Sequence, residues 1–273
     1  MKKILRLIIG VVLFFSFTSS VWAIRIGLGL SKLKVEKEVK PGETISGSLT
    51  VYNHSDIEIT VKGNAQDFNY IFPFDGRKKF LPTGSVERSC ANWITVSPPE
   101  ITIPARGKKE VTYSIKVPPQ LEKGEYWAVL FFERPYKKRA VKIGAGINIR
   151  VGSLFFLRTP DRLKQGKIEE ITSSSKGIEG NLVNTGNTIL VAKGDYYAMN
   201  KEGMVVDRGK IGKREYYLPP GEKVSFSLEF SDKVPVGTYT AVVTFDLQEG
   251  DVLVKEIDFV KEKTGFRVLQ VRE

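Results

Sequence analysis

The chain of 273 residues holds one cysteine, Cys90, and one histidine, His54. A lone cysteine excludes an internal disulfide, so the fold must stand on packing even where oxidation would allow a bridge. It reads as a small buried side chain or a reactive thiol. A lone histidine, in a turn pattern and with no cysteine near it, leaves no common zinc set. It would also have to serve as the base of any Ser-His-Asp arrangement, and no Gly-x-Ser-x-Gly elbow is present to carry a nucleophile. Gly27-x-Gly29 and Gly144-x-Gly146 lie inside strand patterns with no helix after them. They read as bulges or close backbone approaches rather than phosphate loops. The carboxylate pairs Glu36/Glu38 and Glu169/Glu170 sit on charge-rich strand edges and read as solvated. No enzyme, metal or cofactor is expected.

Long apolar runs are also scarce. The one present runs from Leu7 to Phe15 behind Lys2, Lys3 and Arg6, and Thr18-Ser19-Ser20-Val21-Trp22-Ala23 follows it. It is shorter than the roughly 20 residues a membrane span needs. A basic start, an apolar middle and small residues before a cut describe a secretory signal over residues 1–23, cleaved after Ala23. The expected product has no stable membrane span and is exported.

What the chain has in quantity is alternation of apolar and polar residues over short runs closed by Gly, Pro and Asn, while helical periodicity is nearly absent. Thr44 to Tyr52, Ile57 to Val61, Trp93 to Val96, Val111 to Val117, Tyr126 to Glu133 and Val141 to Val151 fit strands. After Thr159-Pro160-Asp161 a second series runs through Ile178 to Leu182, Ile189 to Met199, Met204 to Lys210, Val224 to Phe230, Tyr239 to Leu247 and Val252 to Val260. The expected fold is all-β, with two consecutive β-sandwich domains at 24–160 and 161–273.

The halves echo each other. Asn53-His54-Ser55 is matched by Asn184-Thr185-Gly186, Pro104 to Gly107 by Pro219 to Glu222, and Gly124-Glu125-Tyr126 by Gly237-Thr238-Tyr239. Tyr126 and Tyr239 stand where sandwich domains tie a corner with a tyrosine hydroxyl. The first half carries an insertion near 70–92, which reads as a binding loop or as a flap over a sheet edge. Charge also separates the halves. Residues 24–160 hold 22 Lys and Arg against 13 Asp and Glu, whereas residues 161–273 hold 17 against 18. The surplus on the first half reads as a solvated face or as a surface for a carboxylate-bearing partner. An exported chain without stacking aromatics among its basic residues does not read as a nucleic-acid binder.

Two strands stand out. Val141, Ile143, Ala145, Ile147, Ile149 and Val151 occupy every odd position of their run, with Lys, Gly, Asn and Arg between them. This reads as the last strand of the first domain. It is either covered by its neighbours or an open edge that accepts a partner's strand. The opening strand changes phase at Ser31-Lys32, which calls for a bulge or for a strand that crosses from one sheet to the other.

In order along the first domain, Asn53-x-Ser55, Trp93-Ile94-Thr95-Val96-Ser97-Pro98-Pro99, Ile101-x-Ile103-Pro104, Gly124 to Phe131 and Leu154-Phe155-Phe156-Leu157-Arg158-Thr159-Pro160 resemble the periplasmic chaperones that assemble pili. The resemblance implies two immunoglobulin-like domains joined at an angle. It also implies a non-enzymatic periplasmic protein that lends its last first-domain strand to a secreted pilin-like or surface subunit. Members of that family grip the subunit's terminal carboxylate with two basic residues in the interdomain cleft. Lys34 resembles the first. Around the second, this chain reads Gly152-Ser153-Leu154-Phe155, so Arg150 and Arg158 are the nearest substitutes. The other expectations kept open are a structural or adhesive immunoglobulin-like module of an envelope assembly, and self-association through an open edge.

Overall fold

The computed structural model describes residues 27–134, 149–248 and 251–272. The expected signal segment and the Val141 to Ile147 part of the alternating run lie outside the described residues. Apart from one short 3-10 turn at Ala91–Trp93, the regular elements described are strands.

The first sandwich comprises β1 (Leu28–Leu30), β2 (Lys34–Glu38), β3 (Thr44–Asn53), β4 (Ile59–Tyr70), β5 (Lys78–Leu81), β6 (Ile94–Ser97), β7 (Glu100–Ile103), β8 (Lys108–Lys116), β9 (Glu125–Glu133) and β10 (Arg150–Arg158). One sheet has the order β1-β3-β8-β6; the other runs β2-β10-β9-β4-β5, with β7 also on β4. The second sandwich comprises β11 (Gly166–Ser173), β12 (Gly177–Asn184), β13 (Leu190–Met199), β14 (Val205–Leu218), β15 (Lys223–Glu229), β16 (Gly237–Asp246), β17 (Val252–Glu262) and β18 (Gly265–Arg272). Its sheets are β11-β12-β15 and β14-β13-β16-β17-β18.

The phase change in the opening strand is a change of sheet. β1 pairs antiparallel with β3, and β2 pairs parallel with β10 in the facing sheet. Ser31 secures the crossing: its N–H donates to the Thr50 carbonyl and its Oγ accepts the Thr50 N–H. Val35 and Val39 then enter the first core.

The repeated turns are the same device used twice. Asn53 Nδ2 donates to the carbonyls of Ile57, Ile103 and Pro104, while its Oδ1 accepts the Ser55 N–H. Asn184 Nδ2 donates to the Thr188 and Leu218 carbonyls, and its Oδ1 accepts the Gly186 N–H. Each buried amide satisfies backbone that no ladder reaches. The corner tyrosines also match. Tyr126 OH donates to the Glu122 carbonyl at 3.2 Å and Tyr239 OH to the Pro235 carbonyl at 2.9 Å.

β9 is buried on both faces. Tyr126, Ala128, Leu130 and Phe132 face the first core, whereas Trp127, Val129 and Phe131 join a cluster continuous with the second sandwich's core. That double burial removes the need for alternation and explains the unbroken Tyr126 to Phe132 run. It also corrects the expected course of the last first-domain strand. The strand described there continues to Arg158, and Leu154-Phe155-Phe156-Leu157 hides its strand character because apolar partners cover both faces. The insertion supplies part of the cover. β5 pairs with β4, and Phe80 packs 4.9 Å from Phe131. Three carboxylate-accepted bonds, from the Ser85 and Val86 N–H groups and Ser89 Oγ, pin the rest of it to buried Asp67.

Candidate functional site

The site begins where a sheet is left unfinished. β10 pairs along its full length with β9, from Arg150 opposite Glu133 to Arg158 opposite Glu125. On its other side β2 covers only Leu154 to Arg158, because the chain before Lys34 belongs to the facing sheet. Leu154 N–H donates to the Leu33 carbonyl at 2.9 Å, at the end of that cover. By strand alternation the N–H and C=O of Gly152 and Arg150 point the same way, past the end of β2. Among the described residues no strand pairs with them. Position 152 must be glycine for packing, since a Cβ there would fall 2.8 Å from side-chain atoms of Phe131 and Val129.

Of the odd-numbered row, Ile149 and Val151 are described. The Ile149 carbonyl accepts the Arg134 N–H, closing the β9–β10 ladder, and Val151 packs against the first core. They begin the row that continues inward through Ser153, Phe155 and Leu157. Ser153 Oγ is fully buried with no hydrogen-bond partner, the one such side-chain atom among the described residues.

Beside the part of β10 that no described strand covers lies a chain of charges. Lys34 Nζ is 2.9 Å from Glu36 Oε1, and Arg158 Nη2 is 2.9 Å from the same oxygen. Arg158 Nε reaches Glu125 Oε1 at 2.7 Å. Partial burial pushes the Glu36 carboxyl upward, but Lys34 and Arg158 outweigh it and hold the pKa below its ordinary value. Lys34 also sits 5.1 Å above the Phe156 ring. The structure therefore brings Lys34 and Arg158 together and leaves Arg150 apart. Arg150 stacks 4.3 Å from the Phe131 ring and 5.2 Å from Phe80. It stands four residues from the β10 position opposite Lys34, roughly 13 Å along a strand. Glu36 is not simply solvated, as its place in a charge-rich edge suggested; it joins the two cations.

Glu125 is the group that sequence reasoning missed. Its side chain is 2 % exposed, its Oε2 accepts the Ile189 N–H at 2.8 Å, and its own N–H donates to the Asn187 carbonyl. It thus ties β9 and Arg158 to the second sandwich. The insertion adds a second tie. Tyr70 stacks on Tyr217 at 5.1 Å, and Tyr217 N–H donates to the Phe74 carbonyl at 2.7 Å. Lys78 caps the stack 4.6 Å above Tyr70, and burial lowers its pKa. Next to it, Pro73, Asp75 and Arg77 face Lys213, Arg214 and Tyr216 across a cleft of about 580 Å³.

Elsewhere the chemistry is quiet. Cys90 is fully buried, which pushes its thiol well up from its ordinary pKa. His54 lies exposed in its turn with its ring stacked on Tyr52.

No family model and no curated protein matches the chain. Solved structures do. A chain from a chaperone–tip adhesin complex of CFA/I fimbriae biogenesis superposes with a TM-score of 0.50 at 16 % identity, covering 89 % of this chain and 98 % of its own. The class 5 fimbriae chaperone CfaA gives 0.51 at 15 % identity, over 84 % of this chain and 97 % of its own. The E. coli chaperone DraB gives 0.43 at 15 % identity, over 87 % and 98 %. The fold is therefore the two-domain immunoglobulin-like sandwich of fimbrial chaperones, at very low sequence identity.

Proposed function

We propose that this chain is a non-enzymatic chaperone of secreted, pilin-like subunits, acting in the periplasm after its leader over residues 1–23 is removed. It binds by strand addition at the β10 edge. The observation that carries this reading is the bare edge at Arg150 and Gly152, at the end of the Val141 to Val151 row. Backbone groups there are available to an incoming strand, and Val151 continues the row of Phe155 and Leu157 that faces the first core. Burying four Val or Ile side chains of that row in a partner would contribute roughly 6–12 kcal/mol before the costs of ordering. The partner's terminal carboxylate is taken by the cations at the foot of the edge, Lys34 and Arg158; Arg150, stacked on aromatics, serves the edge rather than the anchor. No helix among the described residues is long and apolar enough to cross a membrane.

The test is a tagged pull-down from the native periplasm with wild type and Ile147→Asp, identifying co-purified chains by intact mass. A small β-rich subunit retained by wild type and lost from the variant is the expected result. A variant that folds and keeps the subunit removes strand addition, and an envelope module with a different contact surface then becomes the better account.

A further inference from the structure

The two cations assigned to the carboxylate anchor are already holding a carboxylate. Glu36 Oε1 accepts both Lys34 Nζ and Arg158 Nη2, each at 2.9 Å. The placement is dictated by β2. Val35 is turned into the first core, so Lys34 and Glu36 share the opposite face, and β2 runs parallel to β10 with Phe156 opposite Glu36. With Glu125 on the far side of Arg158, Glu36 is the acid that joins both cations on the near side among the described residues.

We propose that Glu36 is a built-in stand-in for a ligand's terminal carboxylate, filling the Lys34–Arg158 seat in the free chain and leaving it when a carboxylate-ended strand docks. The inference rests on the strand-addition reading and adds how its anchor is regulated. Three features make Glu36 the member that moves. Its side chain is 41 % exposed and Lys34's is 53 %, and ion pairs so open to water are weak. Arg158 is held from behind by Glu125 and stays aimed at the seat when Glu36 swings out. Lys34 keeps its place over the Phe156 ring. The exchange is carboxylate for carboxylate, so the donors lose no hydrogen bonds. Occupancy by Glu36 keeps the cations from gripping stray anions, and a ligand must bring a strand as well as a carboxylate to displace it.

The experiment measures binding of two synthetic peptides of alternating valine and serine, identical except that one ends in a free carboxylate and the other in an amide. The proteins are the wild-type chain, Glu36→Gln, Glu36→Thr and Lys34→Met. The second Glu36 variant uses a strand-forming residue in case Gln perturbs β2, and thermal melting checks that each is folded. Removing Glu36 is expected to tighten the carboxylate peptide roughly three- to tenfold, the worth of two exposed ion pairs, and to leave the amide peptide unchanged. Lys34→Met should erase the preference for the free carboxylate. If Lys34→Met does so but neither Glu36 variant binds the carboxylate peptide more tightly, the anchor stands and the stand-in is wrong. If wild type and all variants treat the two peptides alike, or bind neither, the anchor reading itself fails and the stand-in fails with it.

Discussion

The two sandwiches share their fastenings and differ in how they end. Each has a buried asparagine that stitches a turn to the neighbouring strands, and a tyrosine that ties a corner four residues back. In the second, the strand after the tyrosine strand, β17, is followed by β18, which pairs with it from Glu256 to Glu262. In the first, the corresponding strand β10 is covered by β2 only from Leu154 to Arg158, and the chain that could have covered the rest has crossed to the facing sheet. Among the described residues each half leaves the first four residues of this strand without a partner on that side, Arg150 to Ser153 in β10 and Val252 to Lys255 in β17; the halves differ in what covers the rest, a strand that has crossed from the facing sheet in the first and the next strand along the chain in the second. An open edge is a liability in a protein that has no use for it. The one on β10 lies on the half that carries the surplus of basic residues, beside the Lys34–Glu36–Arg158 ion pairs.

The comparison can be pressed first at what the halves share. Tyr126→Ala and Tyr239→Ala each remove a buried ring together with its hydroxyl bond. Each is expected to cost about 3–5 kcal/mol in chemical denaturation, and equal losses would mark the corners as equivalent. A near-zero cost in either half would break the parallel. Next comes the seam. Glu125→Gln keeps an acceptor for the Ile189 N–H but removes the charge that holds Arg158, with an expected loss of about 1–3 kcal/mol. Calorimetry should show a single unfolding transition separating into two as the halves lose their coupling; an unchanged single transition would mean that the apolar seam alone joins them. The smallest effect is expected at Ser153. Replacing it by Ala removes a buried hydroxyl without a partner and should raise stability by about 1 kcal/mol. A loss instead would show that the hydroxyl has a role in the packed state.

The strand plan and the corner tyrosines were legible because alternation and turn residues are local signals. The four strands not expected were hidden for physical reasons. β11 carries a bulge between Glu169 and Thr172, with Glu170 at φ 54°, and β18 pairs through a bulge beside Phe259, so neither keeps a period of two. β5 and β7 have four residues each, a length at which alternation, though present in Ile101-x-Ile103 of β7, does not by itself set a strand apart from a loop. At the site, Lys34 and Arg158 were readable as candidates because the motifs around them placed them, and the phase change at Ser31-Lys32 announced the sheet crossing that leaves Arg150 to Ser153 without a partner from β2. Glu125 and Glu36 were not readable. Both look like ordinary strand-edge acids, and only the meeting of β2, β9, β10 and the second sandwich gives them partners.

The most direct test of the central claim is residue-resolved hydrogen exchange of the free chain and of its complex with the captured subunit. The account predicts that the amides of Arg150 and Gly152 exchange rapidly in the free chain, become protected in the complex, and do so while β17 and β18 remain unchanged. Protection of Arg150 and Gly152 already present in the free monomer, or a complex that protects the second sandwich and leaves these amides exchanging, would contradict it.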